Sequence, residues 1–225
     1  MINLSPLIDK HFKNQELFDK LTSRSNGDQI YPTITVSRDP GSGGKAVAQK
    51  IAEILKIKCL DQELLDMVAK EAKSKRKLVK ALDEKTQSEI TSIVNNFLGL
   101  ESLPSNTFIK SLATVCLSVA AHQPAVILGR GINFILPPST NFRVRITAPR
   151  RVLVKYAMKY EGHSADKARQ IIDKYMKLRR EFVYKYFTKD ITKSHYYDLV
   201  INTQYLTIDE AAHIAVCGFK QKFGL

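Results

Sequence analysis

The chain has 225 residues, 44% of them hydrophobic and 25% charged, with 10 Gly and 8 Pro; this is globular composition, which excludes a collagen-like, low-complexity or disordered chain. The length supports one core, with room for a small lid, but not two full α/β domains. Cys59, Cys116 and Cys217 are scattered and form no C-x-x-C, which excludes a disulfide framework or a cysteine zinc site. The formal charge of +13 draws phosphates, nucleic acid or an anionic membrane without choosing among them.

The first 18 residues, MINLSPLIDKHFKNQELF, mix charged and apolar side chains, so no secretory signal is expected. The apolar stretch SLATVCLSVAAHQPAVILG is interrupted by His122, Gln123 and Pro124 before it reaches a membrane-spanning length. A soluble, cytoplasmic protein without a membrane partner is the expectation. Residues 5–23 carry Leu7, Ile8, Phe12, Leu17, Phe18 and Leu21 at rough helical spacing, which predicts an accessory helix within an N-terminal segment, 1–30, ahead of one domain over 31–225.

TITV (33–36) predicts a buried strand feeding the glycine-rich SRDPGSGGKA, and KAVAQKIAEILK predicts a helix with Val47, Ile51, Ile54 and Leu55 on one face. KIKCLD (56–61) predicts a second strand ending at Asp61. A charged helical stretch follows from Gln62 to about residue 100, broken near Gly99 and Pro104, and 107–121 predicts another helix. AVIL (125–128), RVRIT (143–147) and DLVIN (198–202) predict the remaining strands. Strands alternating with helices imply an α/β fold: a mostly parallel five-stranded sheet with helices on both faces. Ligands of such sheets bind at the carboxyl ends of the strands, a rim that gathers residues 37–46, Asp61, 129–131 and 148–151.

The loop between the first strand and helix departs from the phosphate-loop pattern G-x-x-x-x-G-K-[ST] at both ends, with Asp39 for Gly and Ala46 for the hydroxyl residue. Gly41, Ser42, Gly43, Gly44, Lys45 and Ala46 can each offer a backbone NH to a phosphate, and Lys45 adds a point charge. The plainer alternative is a glycine-rich turn with a solvated lysine. Ala46 cannot help to hold magnesium, and the third strand ends in Leu128 rather than an acid, so the metal ligands stay open, with Asp39 and Asp61 as the candidates. Arg130, between two glycines, is a candidate fork for an acceptor phosphate or a pyrimidine carbonyl. IIDKYMKLRREFVYKYFTKD (171–190) crowds Lys174, Lys177, Arg179, Arg180 and Lys185 with three tyrosines: a solvated basic helix, or a lid that brings arginines over a transferring phosphoryl group.

In order and spacing, SRDPGSGGKAVAQKIAEIL, CLDQELL, ALDEK, AVILGRGINFIL, RVRITAPRR, IDKYMKLRREFVYKYF with Asp190, and YDLVINTQYLTIDEA resemble the bacterial cytidylate kinase-like family of phosphate-loop (P-loop) proteins, over residues 33–215. The resemblance implies a P-loop NTPase fold of the nucleoside monophosphate kinase type, with a helical lid at roughly 160–190, ATP as phosphoryl donor, Mg2+ as cofactor and CMP or dCMP as acceptor. It implies that residues 41–46 hold the donor phosphates, that Asp61 and Arg130 contact the acceptor, and that Lys45, Arg130, Arg179 and Arg180 carry catalysis. An acid at Asp39 is common in the family. True cytidylate kinases read D-G-R-D where this chain has Leu128, Gly129, Arg130 and Gly131, and Leu153 stands where relatives often carry arginine, with Lys155 nearby. The rival readings are a nucleotide-binding module without turnover and, more weakly, a basic nucleic-acid-binding surface. Oligomeric state is open.

Overall fold

Five short runs, all but the second rich in β-branched residues, pair into one sheet: β1 Thr33–Arg38, β2 Lys58–Leu60, β3 Ala125–Leu128, β4 Asn141–Thr147 and β5 Leu199–Asn202. The computed structural model describes residues 30–100 and 107–225, so the helix expected over 5–23 lies outside the described residues. Strand order is β2-β3-β1-β4-β5, and every pairing is parallel. β1 therefore lies at the centre, between β3 and β4, and the three carboxyl ends that matter for the site are neighbours.

The period-two alternation of the strands divides the core between two faces. Ala125 and Ile127 pack with Leu65, Leu112, Leu117 and Phe187, from α2 (Gln62–Lys70), α5 (Thr107–His122) and α7 (Ala165–Phe187). Val126 and Leu128 pack instead with Ile34, Val36, Val144 and Ile146, against Val47 and Ile51 of α1 (Gly44–Leu55) and Ala215 and Phe219 of α8 (Ile208–Phe223). Sheets covered on both faces read as continuous apolar runs, which is why AVIL is legible as a strand, while TITV is legible by its β-branched residues.

Where the structure differs from the sequence reading, local capping explains it. The second strand is only three residues long because Lys56, at φ 54°, closes α1 and the amide of Ile57 still donates to the Ala52 carbonyl at 3.0 Å. Asp61 consequently starts α2 as its N-cap instead of ending a strand. The charged stretch after Gln62 is three helices, α2, α3 (Ala72–Lys80) and α4 (Glu84–Leu100). Glu71 is extended between the first two, and Asp83 caps the third by accepting from the Thr86 amide at 2.9 Å. β4 begins at Asn141, two residues early, because Phe142 buries against Phe219 of α8, ring centroids 6.3 Å apart. The excursion from the sheet that contains residues 160–190 begins at Arg150: α6 (Arg150–Glu161) and α7 form a hairpin with its own small cluster of Leu153, Val154, Ala157, Ala168 and Ile172.

One electrostatic tie closes the far edge. Asp198 accepts from the Arg143 amide (2.8 Å), from Arg143 Nη2 (2.7 Å) and from Lys222 Nζ (3.0 Å), joining β4, the start of β5 and α8. Partial burial pushes this carboxyl up, but the bonds from Arg143 and Lys222 outweigh it and hold it down to about 2, against 3.8 ordinarily. A depressed carboxyl stabilises the fold above its unfolded pKa, and that stabilisation is lost as pH falls toward the folded value. Between about pH 4 and pH 2, Asp198→Asn should therefore show a shallower loss of stability than the parent, measured by urea unfolding at stepped pH.

Candidate active site

The loop after β1 is pinned at three points. The Ser42 hydroxyl, fully buried, donates to the Asp39 carbonyl at 2.8 Å and lies 3.3 Å from the Ile146 carbonyl, while Thr203 Oγ1 donates to the Ser42 carbonyl at 3.0 Å. The Ser42 amide turns back to the Asp39 carbonyl at 3.3 Å, so Ser42 shapes the loop and its NH is spent there. Gly43 is the N-cap of α1 at φ 74°, a left-handed conformation that favours glycine, and a Cβ there would press on Ile208 Cδ1 at 2.7 Å. The helix that follows has no side-chain cap and no acid in its first turn. Among the described residues the amides of Gly43, Gly44, Lys45 and Ala46 find no acceptor, which leaves an anion-attracting helix start.

Lys45 points to Asp61, Nζ to Oδ2 3.2 Å, with both groups solvent-accessible. Asp61 also caps α2 by accepting from the Leu64 amide at 3.0 Å. Burial raises its pKa, and the Leu64 amide and Lys45 more than reverse this, so the carboxyl is held below its usual range.

Beside the loop lies a cavity of about 340 Å³ at the strand ends. Its polar lining is Ser37 and Arg38 of β1, Gln62, Arg130, Arg145 of β4 and Arg179 of α7; Tyr175, Leu178, Phe182 and Val183 of α7 form an apolar wall. Gly129, Arg130 and Gly131 all have positive φ (84°, 56° and 68°), a tight left-handed turn that sets the Arg130 side chain. Its guanidinium forks onto Asp66 of α2, with Nε 2.8 Å from Oδ1, and lies 5.0 Å from the Phe182 ring centroid. Arg38 passes so close to Gly129 that a Cβ there would meet Nη1 at 2.1 Å, and its Nη2 donates to Gln62 Oε1 at 3.2 Å. Burial, then the charges of Arg179 and Arg130, bring the Arg38 pKa down to about 10 against the pull of Asp61. Arg179 donates from Nη1 to the Arg38 carbonyl at 2.9 Å; Arg180, its neighbour, is exposed and does not line the cavity.

The carboxylates considered for a metal are committed elsewhere. Asp39 accepts from Arg145 Nη2 at 2.7 Å and from Thr147 Oγ1 at 2.6 Å, which occupies both its oxygens in a buried pair. Asp61 is shared between Lys45 and its cap. Among the described residues no group of three or more His, Cys, Asp or Glu could hold a metal ion. Leu128 is buried against α1 and α8, and Gly131 lies against Phe187, where a Cβ would meet Cε2 at 2.4 Å; packing, not chemistry, uses these two positions. Leu153 is buried in the hairpin cluster, its carbonyl 2.7 Å from where a Cβ on Gly41 would sit, and Lys155 is exposed.

Arg38, Arg145, Gln62 and Asp66 escaped the sequence reading. A signal was present for the first two, since an arginine inside an otherwise apolar, doubly covered strand needs a partner or a ligand.

A wholly parallel sheet in this order, with a glycine loop between the central strand and a helix, defines a P-loop NTPase fold with a helical lid. A solved structure of an uncharacterized protein from Eubacterium ventriosum superposes with a TM-score of 0.60 at 22% identity, covering 84% of this chain and 98% of that one. The family model for the cytidylate kinase-like family matches residues 33–205, and the chain belongs to that family. A cytidylate kinase of Pyrobaculum calidifontis is 23% identical over 185 residues, 81% of this chain and 90% of the relative.

Because the Lys45–Asp61 pair is solvent-accessible, it adds little to folding. Lys45→Met should leave the thermal midpoint nearly unchanged while weakening tripolyphosphate binding by about 10- to 100-fold in calorimetry.

Proposed function

We propose that this protein transfers the γ-phosphoryl group of ATP to the phosphate of a nucleoside monophosphate, with CMP or dCMP as acceptor. The observation that carries this is the charge balance of the cavity. Four guanidinium groups line it, and the two carboxylates that neutralise any of them, Asp39 and Asp66, are each committed to one arginine. Arg38 and Arg179 have no carboxylate partner among the described residues, which leaves two positive charges. A phosphate monoester is close to a dianion at neutral pH and matches them. An alcohol acceptor would instead need a nearby base to take its proton, and the carboxylates at these arginines are not free to serve. The cavity volume is at the small end for ligand sites, which suits a one-ring base, and family membership points to cytidine nucleotides.

The donor's phosphates would lie on the amides of Gly43, Gly44, Lys45 and Ala46, with Lys45 leaving Asp61 for the phosphate oxygens. Magnesium, when bound, neutralises charge on the donor's phosphates. Magnesium keeps most of its water shell and needs few protein oxygens; Asp61, once released by Lys45, fits as a ligand to that shell, whereas the Ala46 methyl contributes nothing. Arg130 and Arg38 would orient the acceptor, and Arg179, reaching in from the lid, would meet charge as it spreads over the transferring group. Ala46 also favours a second reading, nucleotide binding without turnover, because a hydroxyl at that position is what secures the metal elsewhere among P-loop proteins.

An assay with magnesium, ATP and each of CMP, dCMP, UMP, AMP and GMP decides between them. The expected result is diphosphate product, fastest with the cytidine nucleotides, and a fall in kcat of about 10²- to 10³-fold in Arg179→Met. Binding of ATP and CMP with no product from any acceptor would establish the second reading.

A further inference from the structure

The cavity contains a buried cation that is only half satisfied. Arg145 has a side chain 7% exposed, and its Nη2 is bound to Asp39. Its Nη1 is buried with no hydrogen-bond partner; Tyr197 meets the guanidinium elsewhere, its hydroxyl interacting with the Arg145 side chain and its ring centroid 5.7 Å from Cζ. Leaving a charged donor unmatched in the interior is costly, so such a group in a cavity wall points to a ligand. Arg143, two residues earlier on the same strand, is a useful contrast: it gives its amide, Nε and Nη2 to Asp198 and is wholly structural.

We propose that Arg145 is an acceptor-phosphate ligand, holding the monoester through Nη1 while Nη2 keeps its grip on Asp39, so that one guanidinium couples the acceptor cavity to the donor loop. This rests on the kinase reading above and adds a residue and a coupling that the reading does not require. Asp39 is the residue from which the loop hangs: its amide donates to the Ile146 carbonyl at 3.0 Å, and its own carbonyl accepts both the hydroxyl (2.8 Å) and the amide (3.3 Å) of Ser42. An anion drawn onto Arg145 therefore stiffens the group that orders the loop, and the two substrates bind with positive cooperativity.

The test uses the full chain and the double variant Asp39→Asn/Arg145→Met, which removes both members of the buried pair and leaves no lone charge behind. Calorimetric titration of CMP, with and without a non-hydrolysable ATP analogue, is expected to show CMP affinity lowered about 10- to 100-fold in the double variant. The enhancement of CMP binding by the analogue should vanish. Arg145→Lys should recover part of the CMP affinity, since a charge remains but the fork is lost. CMP affinity within twofold of the parent in the double variant overturns the proposal. If the parent binds no nucleoside monophosphate, the kinase reading fails, and inorganic phosphate then decides the inference. A phosphate-induced rise in thermal midpoint that is present in the parent and lost in the double variant upholds Arg145 as a phosphate ligand; an equal rise in both, or none in the parent, overturns it.

Discussion

A carboxylate stands where the general phosphate-loop pattern has glycine, and the rim of this sheet is organised by the way its charge is neutralised. Asp39 is almost buried, and taking an ion out of water costs several kcal/mol unless charge and hydrogen bonds replace the lost solvation. Arg145 and Thr147, alternate residues of β4, supply both. Arg38 pairs with Ile146 in the strand register, and the Asp39 amide donates to the Ile146 carbonyl, so these side-chain bonds extend the β1–β4 ladder past its last rung. Losing one partner would strand the other and cost about 3–5 kcal/mol, a large part of the stability of a domain this size. The turn of Ser42 onto the Asp39 carbonyl is anchored through that residue.

The same constraint explains why so many arginines gather in one place. With β1 between β3 and β4, Arg38, Arg130 and Arg145 come from three adjacent strand ends, and α7 adds Arg179 from above. Two of the four are paired, and burial, followed by the charges of Arg179 and Arg130, lowers the pKa of Arg38. The four guanidinium groups are held in place by Asp39, Asp66, Gln62 and the Arg38 carbonyl, so an anion entering the cavity would meet positive charge that is already positioned. Part of the formal +13 charge is concentrated there, and the exposed lysines and arginines of the hairpin extend the positive field outward.

Periodicity and punctuation made the scaffold readable. The β-branched runs at 33–36 and 125–128 and the amphipathic face of 45–56 define the strand, loop and helix at the heart of the site, and the glycine cluster marks where they turn. What periodicity could not show was which arginine meets which acid. Arg145 and Asp39 are 106 residues apart, and Arg130 and Asp66 are 64 apart; the first pair joins two neighbouring strands and the second joins a strand end to helix α2. Arg179 and Arg180 look equivalent as neighbours, but successive helix positions point about 100° apart, so only one of them enters the cavity. The charged stretch after Gln62 runs to Leu100 as expected but is divided into three helices. Its breaks are made by single residues, Glu71 through an extended backbone and Asp83 through a side chain that caps the next helix.

Helix α7 links these parts. Near its carboxyl end Val183 and Phe187 belong to the main core, while near its start Ala168 and Ile172 belong to the small cluster of the hairpin. Arg179 lies between these two anchors, with its guanidinium on the carbonyl of Arg38. The hairpin cluster is small, and Arg150 and Asp173, which brace α6 to α7, are exposed, so this end is held far less firmly than the other. A rigid helix fixed at one end and lightly held at the other can pivot only about the fixed end. Arg179 is about four residues, or about 6 Å along the axis, from Val183, so a modest tilt of the free end moves its guanidinium by less than the hairpin tip. Arg179 thus sits nearer the firm anchor, while Leu153 and Ile172 lie farther out, over Gly41.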